Sequence, residues 1–204
     1  MKRIAILCVL ILLIPLSGFT QAIENIDFIS PYNDGLAAIK KGNQWAFINQ
    51  EGTLVIDFRD NVVTTTIEND SYPIFNSDRC LIAEKKEGIT YFGYIDTSGK
   101  TVIEPQFLNA TNFNDNVAIV LELKKQILGS NDIFKKQQVA YNYFQVVINT
   151  KGEILHYLTQ EPIRITLHKD FIKQPPKITS RLLSENTYAV WSKEKKWEIK
   201  VLPQ

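Results

Sequence analysis

The feature that most limits what this chain can become is that it repeats itself. Tyr32-Asn33-Asp34-Gly35-Leu36-Ala37-Ala38-Ile39, Phe75-Asn76-Ser77-Asp78-Arg79-Cys80-Leu81-Ile82 and Phe113-Asn114-Asp115-Asn116-Val117-Ala118-Ile119-Val120 align without gaps. A second block follows each: Ile48-Asn49-Gln50-Glu51-Gly52, Ile95-Asp96-Thr97-Ser98-Gly99 and Ile148-Asn149-Thr150-Lys151-Gly152. A degraded fourth copy of the first block runs from Leu183 to Val190. Repeats of this length mark units that must stack on one another to bury a core.

The matching positions carry a physical message. Gly35, Asp78, Asn116 and Asn186 share one column, and these residue types tolerate positive φ, so the column predicts a turn feeding a strand. Two places on, Ala37, Cys80 and Ala118 are small, as needed where a backbone or a ring packs close. Asn49, Asp96 and Asn149 each precede a glycine by three residues. An Asx side chain can bond the turn it begins while the glycine takes the left-handed place that closes a hairpin. Gly35, Gly52, Gly99 and Gly152 are therefore expected to be structural turn residues. Flanking runs such as Thr101-Val102-Ile103 are β-formers, so the chain is expected to be all-β.

At these residues the sequence resembles the bacterial WG (KWG) repeat. Asp34-Gly35-Leu36-Ala37 followed by Trp45-Ala46-Phe47-Ile48-Asn49 and Gly52 resembles it in the first copy, and Phe92-Gly93-Tyr94-Ile95-Asp96 and Gly99 in the second. The naming dipeptide is split: copy one keeps the Trp, copy two the Gly, and copy three has Gln145-Val146 there. The resemblance spans about residues 28–155. It implies tandem antiparallel β units, usually exported or envelope-associated, with no family-wide catalytic residues.

The expected architecture is one β-repeat domain over 23–204, with repeats at about 28–70, 71–108 and 109–155 and a diverged C-terminal cap at 156–204. An open, curved array or partial propeller-like assembly is favoured over a closed propeller, which ordinarily needs at least about four blades of four strands. Lys124 to Asn142 widens the third copy and reads as a longer hairpin with a turn at its tip. Residues 156–182 carry Pro162, Pro175 and Pro176 and read as a loop or edge strand.

Lys2, Arg3, the apolar run Ile4–Ile14 and the small residues near Ala22 predict a signal-peptide helix over 1–22, cleaved on export. The run is shorter than the roughly 20 apolar residues of a membrane span, so no stable span is expected after cleavage. The expected location is periplasmic or extracellular. Phe19 stands where a lipoprotein would need a cysteine, and the exported chain keeps only Cys80, whose neighbours Leu81 and Ile82 suggest a buried thiol rather than a reactive one.

Charge divides unevenly along the chain. Residues 23–123 carry 7 basic and 15 acidic side chains, whereas residues 124–204 carry 14 and 7. An anionic envelope polymer or an acidic protein could meet the basic half, opposite ends could associate head to tail, or the charges could simply solvate strand edges. Overall near-neutrality gives no general electrostatic case for nucleic acid. The candidate binding residues are Lys124, Lys125, Lys135 and Lys136 on the insertion, and Trp191 and Trp197 near the end. The alternative for such tryptophans is core or cross-strand pairing.

Chemistry is sparse. His156 and His168 have no second ligand at zinc spacing, no Asp-x-Asp-x-Asp-Gly run exists, and no Gly-x-Ser-x-Gly elbow occurs, so no metal, cofactor or catalytic residue is expected. Asp57 with Asp60, or Glu68 with Asp70, could in principle serve a glycan hydrolase, and they fall in what reads as a polar loop between copies one and two. The sequence thus favours a non-enzymatic binding module for an envelope or extracellular partner. A cell-wall or glycan hydrolase is the alternative and a structural spacer the third class.

Overall fold

The computed structural model describes residues 23–131, 136–184, 187–192 and 195–201. The expected signal segment, Lys135 at the ribbon tip and Asn186 of the turn column lie outside them. All regular structure described is β, arranged as several small antiparallel sheets, none closed on itself.

The first sheet is a meander of β1 (Phe28–Asn33), β2 (Leu36–Lys41), β3 (Gln44–Ile48) and β4 (Leu54–Arg59). Between sheets lies a small hairpin of β5 (Thr65–Ile67) and β6 (Asp70–Tyr72). The second sheet is another meander, of β7 (Phe75–Asn76), β8 (Arg79–Lys86), β9 (Ile89–Ile95) and β10 (Thr101–Phe107). The third contains the long β11 (Val117–Asn131) and β12 (Lys136–Asn149), with β13 (Ile154–Tyr157) and β14 (Ile163–Ile165) both paired to β12. The last is β15 (Ser180–Ser184), β16 (Thr187–Trp191) and β17 (Trp197–Val201).

The turn column behaves alike in every described copy. Asp34 and Gly35, Ser77 and Asp78, and Asp115 and Asn116 all have positive φ, between 46° and 76°. Two consecutive positive φ values in a two-residue loop match the right-handed strand twist on either side. The turns also bond to one another. Asp78 N–H donates to Asp34 Oδ2 (2.9 Å) and Asn116 N–H donates to Ser77 Oγ (3.0 Å), so each turn is tied to the one before it through the same two columns.

The second-block hairpins form an equally regular series. Gly52, Gly99 and Gly152 have φ of 75°, 83° and 84°. Each glycine N–H donates to the Asx carbonyl three residues back, at 2.9–3.0 Å. The Asx Oδ1 accepts from the backbone within the loop: from Thr53 N–H in the first copy, Ser98 and Lys100 N–H in the second, Lys151 and Glu153 N–H in the third.

Strand residues alternate between the two sides of a sheet, and here both sides are buried. Cys80 and Ile82 point back to the first sheet, packing with Leu36, Ala38, Trp45, Phe47 and Ile56. Leu81, Phe92, Tyr94 and Ile103 point forward to Phe113, Ala118, Val120, Val146 and Ile148 of the third. Ile119 and Val147 then point forward to Tyr188, Leu182 and Val190 of the last sheet. Each large apolar side chain buried this way contributes roughly 1.5–3 kcal/mol. The second, third and last sheets therefore each lay a trailing face on the leading face of the sheet before.

Two parts of the sequence reading change in detail. The region between copies one and two is not a plain polar loop. Val62 bridges Ile82, and Ala83 N–H donates to Asn61 O, so Asn61–Val63 continues the line of β7 along β8, with the β5–β6 hairpin inserted between. Asp57 lies within β4, while Glu68 and Asp70 belong to that inserted hairpin. The widened part of copy three is a regular two-stranded ribbon, paired in register from Val117↔Asn149 out to Asn131↔Lys136 with one irregularity near Leu128.

Candidate functional site

The last sheet presents the most open apolar surface. Directly paired residues share a side of a sheet, and Trp191↔Trp197, Ala189↔Ile199 and Thr187↔Val201 are such pairs. They occupy the leading face, since Tyr188 and Val190 occupy the trailing one. Trp191 and Trp197 are 42% and 45% exposed, Ile199 69% and Val201 72%. The two indoles meet edge to face with centroids 5.1 Å apart, and the Arg181 guanidinium lies 5.0 Å from the Trp197 ring centre. The tryptophans are thus a cross-strand pair and exposed at once. Their rings sit at 70° to each other rather than side by side, so they do not form the flat platform on which a sugar ring stacks.

The ribbon brings its lysines together less than their sequence spacing suggests. Lys124 is held by the protein itself: its Nζ lies 2.9 Å from Glu122 Oε1 and 5.9 Å from the Tyr157 ring centre, and Tyr157 O–H donates to Glu122 Oε2. The bond to Glu122, and then the one to Tyr157, raise the Lys124 pKa. Lys125 is exposed opposite Tyr141. Lys136 begins β12 at the ribbon end, beside the undescribed Lys135.

A different basic site lies where residues 166–176 cross the β8–β9 tip. Ile172 is buried against Ile89, Leu108 and Leu121, with Ile165 and Leu167 packed beside it, and Asn109 Nδ2 donates to Pro176 O. This strap leaves a cleft of about 460 Å³ lined by Lys85, Thr90, Lys169, Lys173 and Gln174, with Asp170 at its wall. The Asp170 carboxylate stands 3.3 Å from His168 Nδ1. Neither Asp57 and Asp60 nor Glu68 and Asp70 line this cleft or the neighbouring one at Glu87 and Leu167. His156 sits half-buried on β13 opposite Val147. Among the described residues no group of three His, Cys, Asp or Glu side chains gathers as a metal would require.

Cys80 is fully buried, and burial pushes its thiol up to about 12, against a smaller opposing pull from Arg59. The side chain serves the first inter-sheet core rather than any accessible chemistry.

The WG containing repeat family matches residues 22–45 and 92–125. The first stretch takes in β1, β2 and Trp45; the second runs from Phe92 through the Gly99 hairpin and the third-copy turn into β11. The chain carries WG repeats over these two stretches. No curated protein and no solved structure matches the chain.

Seen as WG repeats, the departures from the motif have local causes. At Gly93 an added Cβ would lie 2.3 Å from Ile103 O and 2.6 Å from Pro105 N, so β10 itself excludes any side chain there. From Ile103 to Phe107 β10 advances four positions while β9 advances two, whereas from Ile56 to Arg59 β4 advances three while β3 advances two. The smaller bulge leaves room for Ala46. In copy three Tyr157 pairs with Val146 in register with the neighbouring pair Val147↔His156.

Gln145, in the Trp column of copy three, is a residue whose role sequence reading missed. Its side chain is 2% exposed; Oε1 accepts from Thr179 N–H (2.7 Å) and Ser180 N–H (3.0 Å), and Nε2 donates to Thr179 Oγ1 (2.9 Å). The WG tryptophan is replaced where the chain fastens its last sheet. A buried amide with three partners is readable from structure, but from sequence it is only a lost motif residue.

Proposed function

We propose that this WG repeat protein is exported and acts by binding, its partner being a protein of the envelope or extracellular space that lays a β-sheet face on the last sheet. The observation that carries this reading is the open leading face of Trp191, Trp197, Ile199 and Val201. Contiguous exposed apolar surface on a folded domain marks a contact site. Continuity identifies the occupant: the leading faces of the first three sheets are covered by the trailing face of another sheet. The signal-like N-terminus and the family's usual setting support export.

The test is site-specific photo-crosslinking in intact producing cells. A photoreactive side chain at Ile199 is expected to trap a discrete partner, while one at Glu198, on the opposite side of β17, is not. Loss of that adduct in Trp191→Ser/Trp197→Ser is expected. Equal labelling from both positions would contradict the reading, as would retention of the uncleaved N-terminus in the cytoplasmic fraction.

A further inference from the structure

We propose that the cleft between the β8–β9 tip and the strap is a phosphate-binding site, taking a phosphoryl group either free or carried by a larger molecule. Lys85 enters the lining from β8, while Lys169 and Lys173 flank the buried anchor Ile172 on the strap, so the packing of one isoleucine brings the three lysines to one cleft. Among the described residues none of these three lysines has an ion-pair partner. That contrasts with Lys86, whose Nζ bonds Pro105 O and lies 3.3 Å from Glu84, and with Lys124, which is tied to Glu122. Thr90 and Gln174 also line the cleft, and a hydroxyl and an amide can donate to oxygens that ammonium groups leave free.

Among the described lining residues Asp170 is the one carboxylate against three lysines, so the cleft keeps an excess of positive charge. The ligand class follows from the donors. Among the described lining residues there is no guanidinium, so an anion is held there by point charges rather than by the planar fork that grips a carboxylate or a phosphate at two points. Compact, separately placed ammonium charges suit a tetrahedral anion approached from several sides. A cleft of about 460 Å³, open to solvent, admits one phosphoryl group with its attached residue and lets a chain run out on either side.

The site is independent of the open face of the last sheet, and its test can fail without touching that reading. The purified protein is titrated by calorimetry with inorganic phosphate, poly(glycerol phosphate), phosphatidylglycerol vesicles and, as the carboxylate control, polygalacturonate. At least one phosphate probe is expected to bind, more weakly as salt is raised, and which of the three binds identifies the source as free ion, polymer or lipid surface. Binding is expected to fall roughly tenfold or more in Lys85→Gln/Lys169→Gln/Lys173→Gln and to persist in Lys124→Gln/Lys125→Gln, with both variants melting as the parent does. Should the triple variant unfold, Lys85→Gln alone, on the regular strand β8, carries the comparison. Failure of all three phosphate probes, equal binding by polygalacturonate, or an unchanged affinity in the variant would overturn the assignment.

Discussion

Ile103 of the second sheet lies beneath Gly152 of the third, so that a methyl group added to Gly152 would come within 3.3 Å of Ile103 Cγ1. Ile56 and Gly99 stand in the same relation one copy earlier, at 3.0 Å. The two isoleucines share one place in the repeat and the two glycines another. The sheets therefore stack with one register, and the hairpin glycines meet two demands: a left-handed φ and a close neighbour from the preceding copy.

These demands separate by comparing glycines. Gly52 has the same φ sign, but an added Cβ meets nothing within 4 Å, since the first sheet has no earlier copy. Gly52→Ala is expected to cost about 1 kcal/mol from its backbone conformation, and Gly99→Ala distinctly more because Ile56 must also move. Denaturant melts of the two variants check this; equal losses would mean that the inter-sheet contact contributes nothing.

Gln145→Leu removes the acceptor for two backbone donors, Thr179 and Ser180, at a nearly solvent-free position. The expected loss is about 2 kcal/mol or more. Hydrogen exchange of β15 and β16 should accelerate while the first sheet is unaffected. Uniform exchange in parent and variant would remove Gln145 as the fastening point.

Cys80 should resist alkylation at neutral pH in the folded protein, because burial holds its thiol at about 12 and closes access. Peptide-resolved iodoacetamide labelling is expected to track unfolding by denaturant. Labelling at the rate of a free thiol without denaturant would contradict the packing of the first core.

Asp96 carries a pH signature. Burial opposes its ionisation, but bonds from the Ser98 hydroxyl and from the Lys100 and Ser98 N–H groups, with the nearby Arg79 charge, outweigh it and hold the carboxyl below its usual range. Because the folded value lies below the unfolded one, the stabilisation is present above the unfolded pKa of about 3.9 and fades as pH falls through the folded value. The melting temperature of the parent should exceed that of Asp96→Asn at pH 6, and the gap should close on acidification. A gap independent of pH would refute the assignment.

Much of this fold was legible because its turns use residues with little conformational choice. Gly, Asn and Asp fall where positive φ is needed, and the copies kept them even where strand residues drifted. Legibility failed where another residue does the same job. Ser192 and Lys195 build a hairpin with the same bond pattern, Lys195 at a φ of 57°, yet neither residue signals a turn of this kind. The β5–β6 hairpin interrupts a strand line, and the strap over 166–176 has no alternation, because its core contacts come from Leu167 and Ile172. The candidate surfaces were legible in part. Trp191 and Trp197 stood out as large residues near a basic end, whereas Lys85, Lys169 and Lys173 are brought together by chain folding alone.

The stacking of copies in one register is tested most directly by a double-mutant cycle on Ile103→Ala and Gly152→Ala, read by equilibrium unfolding. A methyl on Gly152 and a shortened Ile103 occupy the same space, so the double variant should be more stable than the sum of the single losses requires, by about 0.5 kcal/mol or more. Strict additivity would mean that the two side chains do not meet, and the stacked-repeat account would be wrong.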